Sequence, residues 1–302
     1  MNSEEMVSRL AKYLLQVGEG ERLETVRDIA RMNNTSVGTV SNALSTIEQA
    51  GAVTIDRRGH LGSFVSARSI SDLWTMAEHE PMVISFPLIA HPLLEGLATG
   101  LKRQISETGI DIYLTFIRGS RTRLKAVQEN KCHIAVMSNF AARILCGETE
   151  QILTTLPPHS FVTRHEVFYR PDIHELGERR LRVAIDEDSI DIAGLTELEF
   201  EGQEVDFKPV TFMQLPRLLK GNYVDAGIWS IDDMRPHLDE QILHRQLSYE
   251  VIDQVDASDT AAALVSRAEC ASARAVVEAV LDVGKLLDIQ QRVVKGDMVP
   301  EY

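Results

Sequence analysis

The sequence contains no apolar run near the roughly 20 residues that a membrane-spanning helix needs, so no membrane partner is expected. Its opening residues, Met1-Asn2-Ser3-Glu4-Glu5, are too acidic to begin a secretory signal, and a cytoplasmic location is the expectation. Cysteine is scarce. Cys132, Cys146 and Cys270 show neither a Cys-x-x-Cys pair nor a His/Cys ligand spacing, and they are read as reduced, packed thiols.

Catalytic signatures are also missing. There is no Gly-x-Ser-x-Gly elbow, no phosphate loop, no His-Glu-x-x-His and no Gly-x-Gly-x-x-Gly. His165-Glu166 falls in an expected strand, where neighbours face opposite sides and could not act on one bond. The acidic run Asp186 to Asp191 lacks the sixth-position Gly and the distal Glu of a calcium loop. Neither metal nor cofactor is expected, and the chain is not read as an enzyme.

What the sequence does have is length and an unevenly placed acidic excess. Its 302 residues, 44% apolar and 25% charged, can bury a large core in two or three folding units. A net charge of -14 argues against nucleic acid, which requires a positive face. Residues 1–66 hold seven Lys/Arg against eight Asp/Glu, however, and the rest of the chain holds 24 against 37.

In those first 66 residues, Met6, Leu10, Leu14 and Val17 recur at helical spacing after a helix start at Ser3. Thr25-Val26-Arg27-Asp28 has the form of a capping box for a short second helix. Ser36 caps a third, whose apolar face is Val40, Ala43, Leu44 and Ile47. That helix carries no Lys or Arg. Its outer face consists of Thr39, Ser41, Asn42, Ser45 and Thr46, all small enough for a DNA groove. Val53 and Ile55 then alternate as a strand, Asp56 to His60 turn, and Phe64-Val65 return. Three helices and a basic-tipped hairpin follow the order of a winged helix-turn-helix, although any small helical domain can end in a hairpin.

The stretches "LETVRDIA", "TSVGTVSNALSTIEQAGAV" and "RRGHLGSFV" resemble the signature of the GntR transcription regulators. The resemblance implies DNA contacts from Arg27 in helix two, from the Ser36 and Thr39 hydroxyls, and from a wing containing Arg57, Arg58, Gly59 and His60. Val37 and Gly38 stand where the family has Arg and Thr, which leaves base reading to Ser41 and Asn42, with Asn suited to adenine. Binding by one head should therefore be weak, and a homodimer on two half-sites would compensate. In a linker helix over 67–81, Ile70, Leu73, Trp74 and Ala77 form an apolar stripe that either meets a partner copy or packs on its own domain.

After Pro81 the pattern becomes α/β, with apolar strands separated by helices. "LKAVQENKCHIAVMS" (124–138) and "PRLLKGNYVDAGIWS" (216–230) superpose at an offset of 92, and "MVISFP" echoes "LRVAID". Any helix-turn-strand unit offers some likeness, but two similar lobes joined by crossings near 154–168 and 247–265 account for both echoes. The run "GSRTRLKAVQENKCHIAVMS" makes this half resemble the type II periplasmic-binding-protein fold, with lobe I over about 82–155 and 260–302 and lobe II over about 170–250. A GntR-like head on such a body resembles the YhfZ group of bacterial regulators.

Ligands of such folds sit at the carboxyl ends of strands. Those ends give Pro87, Leu88 and His91, then Gly119, Ser120 and Arg121, then Ser138 and Asn139, with Asp188, Ser189, Trp229 and Ser230 from the second lobe. Arg118, Arg121 and Arg123 cluster where Ser120 is expected to cap a helix, a place to hold a carboxylate or phosphate or else a solvated basic turn. Asp188 opposite would meet an amine or hydroxyl. The expectation is a DNA-binding transcription regulator with operator DNA and a small anionic or zwitterionic effector as partners. Its rivals are an enzyme on a two-lobed fold with a fused regulatory head, and an acidic body with a ligand-independent architectural role.

Overall fold

The computed structural model describes residues 2–78, 80–175 and 179–302. Two compact units divide the chain, one comprising Met1–Val83, Leu101–Tyr113 and Ala268–Asp282, the other Ile84–Gly100, Leu114–Arg267 and Val283–Tyr302.

In the first unit, α1 (Ser3–Gln16) begins at the expected Ser3, and the cap position is the residue before it. Asn2 fills that place and its Oδ1 accepts from the Glu5 amide at 2.7 Å. Thr25 caps α2 (Val26–Met32) and Ser36 caps α3 (Val37–Gln49), each hydroxyl accepting from the amide three residues on. β1 (Val53–Arg57) and β2 (Ser63–Arg68) form the wing hairpin. A third strand-like segment joins it, because Gly20 and Leu23 donate to the Val65 and Ser63 carbonyls at 2.7 and 2.8 Å. Alternation could not reveal this segment, since Gly-Glu-Arg-Leu has no period of two.

The expected linker helix is α4 (Ile70–Glu78), and it belongs to this unit. Leu73, Trp74 and Ala77 are buried as the helix packs on α1, so the stripe is occupied within the chain and is not left open for a partner copy. Ser8 Oγ donates to the Ala77 carbonyl at 2.8 Å, fixing the approach of the two helices. His79, in the same stretch, lies outside the described residues.

The remaining elements in chain order are β3 (Met82–Phe86), α5 (Pro92–Ser106), β4 (Ile112–Phe116), α6 (Ser120–Gln128), β5 (Ile134–Ser138), α7 (Asn139–Leu145) and β6 (Glu150–Thr155). There follow β7 (His165–Tyr169), β8 (Leu181–Ile185), α8 (Ile190–Glu199), β9 (Val205–Pro209), α9 (Leu215–Lys220), β10 (Ala226–Ser230) and α10 (Ile231–Met234). The chain ends with β11 (Leu243–Gln246), α11 (Tyr249–Val255), β12 (Ala262–Arg267), α12 (Ala271–Val280) and α13 (Val283–Val294).

Two five-stranded sheets result, ordered β4-β3-β5-β12-β6 and β9-β8-β10-β7-β11. The orders correspond strand for strand. In each, a parallel pair at the centre is joined by an antiparallel strand that crosses over from the other lobe: β12 beside β5, and β7 beside β10. β5 and β10 are buried along their whole length, as strands covered on both faces must be, which is why they read as unbroken apolar runs. Phe168, Leu219, Val224 and Met234 fill the second lobe's core.

Candidate functional site

The second unit holds a partly open cavity of about 230 Å³ at the carboxyl ends of β3, β4, β8 and β10. From the first sheet's side its wall includes Pro87, Leu88, His91 and Gly119; from the second sheet's side it includes Ser189, Trp229 and Ser230. These seven were expected from strand ends. The five other expected residues lie off the wall, and each has a different occupation.

Ser120 is the first residue of α6, not its cap. Gly119 takes the cap position, and the buried Ser120 hydroxyl accepts from the Ile190 amide at 3.2 Å. Arg121 is exposed. The Ser138 hydroxyl caps α7 by accepting from the Ala141 amide at 3.1 Å, and the Asn139 amide donates to the Ala261 carbonyl at 2.7 Å. Asp188, expected to face a ligand amine, instead takes a hydrogen bond from Arg118.

That arginine links the segment after β4 to the segment after β8. Arg118 Nη1 donates to both Asp186 oxygens at 2.9 and 2.7 Å while Nη2 reaches Asp188, so one guanidinium serves two carboxylates. Arg123 is held deeper, where Nε and Nη1 donate to the Val136 and Ile117 carbonyls, both at 2.9 Å. Burial lowers Arg123 to about 10, with Asp191 opposing, and it stays charged at neutral pH.

Several wall residues were missed or dismissed at the level of sequence, among them Phe161, His165, Asp191 and Asp233. Phe161, Asp191 and Asp233 lie on a crossing, inside a helix and after a strand end, where no motif marks them. His165 was set aside with Glu166, and the two do face opposite ways. His165 lines the cavity and its Nδ1 lies 2.7 Å from Asp259 Oδ2, whereas Glu166 meets Arg164 and His244, both at 2.5 Å. Burial opposes a charge on His165, but Asp259, aided by Asp191 and Asp233, holds its pKa above the ordinary value. Burial, reinforced by the adjacent Asp232, pushes the Asp233 carboxyl up to about 7.

On the head, the outer faces of α2, α3 and the wing present the residues expected to meet DNA. Arg27 is exposed and has no ion pair among the described residues. Ser36 and Thr39 share a hydroxyl contact of 2.8 Å, and Ser41 and Asn42 are exposed. In the wing, Arg57 pairs with Glu48 at 2.5 Å. Arg58 pairs with Asp56 at 2.7 Å, and its guanidinium lies 4.6 Å over the Phe64 ring. Gly59 has φ +56°, and His60 is exposed beside it.

Residues 69–302 match the family described as YhfZ C-terminal domain, and residues 18–65 match a family described as helix-turn-helix domain. The chain belongs to the YhfZ family. It is 31% identical to the uncharacterized protein YhfZ of Escherichia coli (strain K12) over 308 residues, spanning 98% of this chain and 96% of that protein. Its structure is similar to the crystal structure of YhfZ from Shigella flexneri, with TM-score 0.63, 28% identity, and coverage of 77% of this chain and 98% of that one. A ligand-binding component of an ABC-type import system from Staphylococcus aureus shares the fold at TM-score 0.50 and 11% identity, over 70% of this chain and 79% of that one.

The YhfZ-family body thus has the two-sheet periplasmic-binding-protein-like fold, and its helix-turn-helix head marks a DNA-binding regulator. Among the described residues no helix is long and apolar enough to cross a membrane. Cys132, Cys146 and Cys270 form no disulfide, and Cys132 and Cys270 are buried.

Proposed function

We propose that this YhfZ-family chain is a cytoplasmic, non-enzymatic, one-component transcription regulator. Its head binds operator DNA, and its two-lobed body closes on a small charged effector. The observation that carries the reading is the cavity itself: a partly open space whose wall combines buried charged groups with apolar ones, on a chain with a helix-turn-helix head. Arg118 and Arg123 are the groups that would meet an anionic part of the effector.

Binding as a homodimer follows from the weakness of one head. An α3 without Lys or Arg leaves phosphate attraction to Arg27 and the wing, as the GntR-like alignment of these positions implies, and two linked heads multiply modest affinities. An effector can change operator affinity only by binding two states unequally. Closure of the lobes supplies the two states.

Selection of bound fragments from sheared genomic DNA by the full chain, followed by fluorescence anisotropy, tests this reading. A preferred sequence, bound at least roughly a thousandfold more tightly than random duplex, is expected. Binding that does not distinguish sequences defeats it.

A further inference from the structure

One wall residue of the cavity is anomalous. His91 is 4% exposed, yet among the described residues neither its Nδ1 nor its Nε2 has a hydrogen-bond partner. A buried imidazole without partners loses the full cost of desolvating both nitrogens, and such groups are normally paired. Burial lowers the His91 pKa despite Asp232 nearby, so the ring is neutral and offers one donor and one acceptor nitrogen. A group that donates hydrogen bonds would satisfy the acceptor.

The charges around His91 are unbalanced in one direction. Arg118 is met by Asp186 and Asp188, His165 by Asp259, and Arg123 has Asp191 as its nearest carboxylate influence. Among the described residues neither Asp232 nor Asp233 forms an ion pair, although the His165 charge acts on Asp233 at longer range. The Thr163 amide and hydroxyl hold Asp232 at 2.6 and 2.7 Å, whereas Asp233, which accepts hydrogen bonds from the Trp229 and Ser230 side chains, lies on the cavity wall. Trp229 and Phe212 stand on the same wall as a T-shaped pair with ring centroids 5.1 Å apart, surfaces to which a cation is also attracted.

We propose that the cavity takes a small ligand bearing a protonated amine, whose ammonium group sits against Asp233 and donates to the unpartnered nitrogen of His91. The ammonium supplies the cation that the carboxylates lack and the donor that the imidazole lacks. This assignment deepens the effector-binding reading above and rests on it. It differs from the sequence expectation in placing the amine at Asp233, because Asp188 is spent on Arg118.

The test uses the full chain and three homologous sets of probes of three to six carbons: n-alkylamines, ω-amino carboxylates and n-alkyl carboxylates. Thermal stabilisation by at least one amine-bearing probe, and by no simple carboxylate, is expected. Asp233→Asn should weaken that binding roughly ten- to a hundredfold, the worth of one charge-assisted hydrogen bond. His91→Gln, which keeps a donor and an acceptor, should weaken it less than His91→Leu does. Because the comparison of probes is made on the unaltered protein, it stands even where a variant fails to fold. Stabilisation by carboxylates alone, or by no probe, overturns the amine assignment.

Anisotropy on the selected DNA separates the two readings. A carboxylate that binds and releases DNA keeps the regulator and removes the amine. An amine that binds without changing DNA affinity does the reverse.

Discussion

Asn130 and Asn222 lie 92 residues apart and share one backbone conformation, the left-handed region at φ +59°. Each ends a helix that leads into a central strand, and around each the same hydrogen bonds recur. Lys131 donates to the Ala126 carbonyl at 2.9 Å, and Tyr223 to the Leu218 carbonyl at 2.9 Å. Cys132 and Val224 repeat the longer bond to those same carbonyls, both at 3.4 Å. Asn tolerates this conformation better than other residues with a Cβ, because its short polar side chain can bond locally. Asn130→Ala and Asn222→Ala should therefore each cost about 1 kcal/mol in chemical denaturation, while Asn→Gly at either site should be close to neutral. Equal stability of the Ala and Gly variants would show that the left-handed turn is not what selects Asn.

That pair also shows what the sequence could reveal. Helix, left-handed turn and buried strand depend on near neighbours, so an offset of 92 between 124–138 and 216–230 was visible without coordinates, and both β5 and β10 fall where it placed them. Ser138 and Ser230 extend the echo, since each caps the following helix. Strand ends likewise located Pro87, His91, Gly119, Ser189 and Trp229 on the cavity wall. His165 escaped because its meaning depends on Asp191 and Asp259, 26 and 94 positions away, and Asp233 because its burial, and its influence on His165 68 positions away, leave no local pattern. The fate of Asp188 was equally hidden, because pairing across 70 residues with Arg118 leaves no local pattern.

Gly119, on the cavity wall, packs closely against the backbone of Asp188. A Cβ on Gly119 would lie 2.7 Å from the Asp188 carbonyl oxygen, and the glycine itself has φ +79°. Gly119→Ala must both strain the backbone and push the Asp188 segment away, which would disturb the bonds from Arg118 to Asp186 and Asp188. The variant should melt at lower temperature, by about 1–3 kcal/mol in stability, and should lose most of its stabilisation by any cavity ligand. Unchanged ligand stabilisation would separate this contact from closure.

The Asp233 carboxyl gives the protein a definite pH dependence. Burial and Asp232 raise its folded-state pKa from 3.8 to about 7, so the folded state binds a proton that the unfolded state has already lost. Its stabilising contribution is complete below pH 4 and falls as pH rises to 7. His165, also raised, adds a loss that begins at its unfolded value near 6.5 and continues above it. Urea titrations between pH 4 and 8 should show this downward component, and Asp233→Asn should remove the part below pH 7. A slope identical in the variant would assign it to other groups.

The arginines of the head differ in how much of their charge is committed before DNA arrives. Arg57 is tied to Glu48 and Arg58 to Asp56, whereas Arg27 is exposed without an ion pair among the described residues. A phosphate must displace the carboxylate from a paired arginine but can take an unpaired one directly. Arg27→Ala should therefore weaken binding to all duplexes alike and lower the salt slope by about one counterion. Arg58→Ala should also reduce affinity, because stacking on Phe64 already orients the guanidinium. Arg57→Ala should do least, and Glu48→Gln, which releases Arg57, should raise non-specific affinity. Asn42→Ala should behave differently, relaxing sequence preference at one base pair by about 1–3 kcal/mol with no change in salt slope. If Asn42→Ala weakens every duplex equally, α3 meets the phosphate backbone instead of the bases, and reading of the operator must then come from the wing.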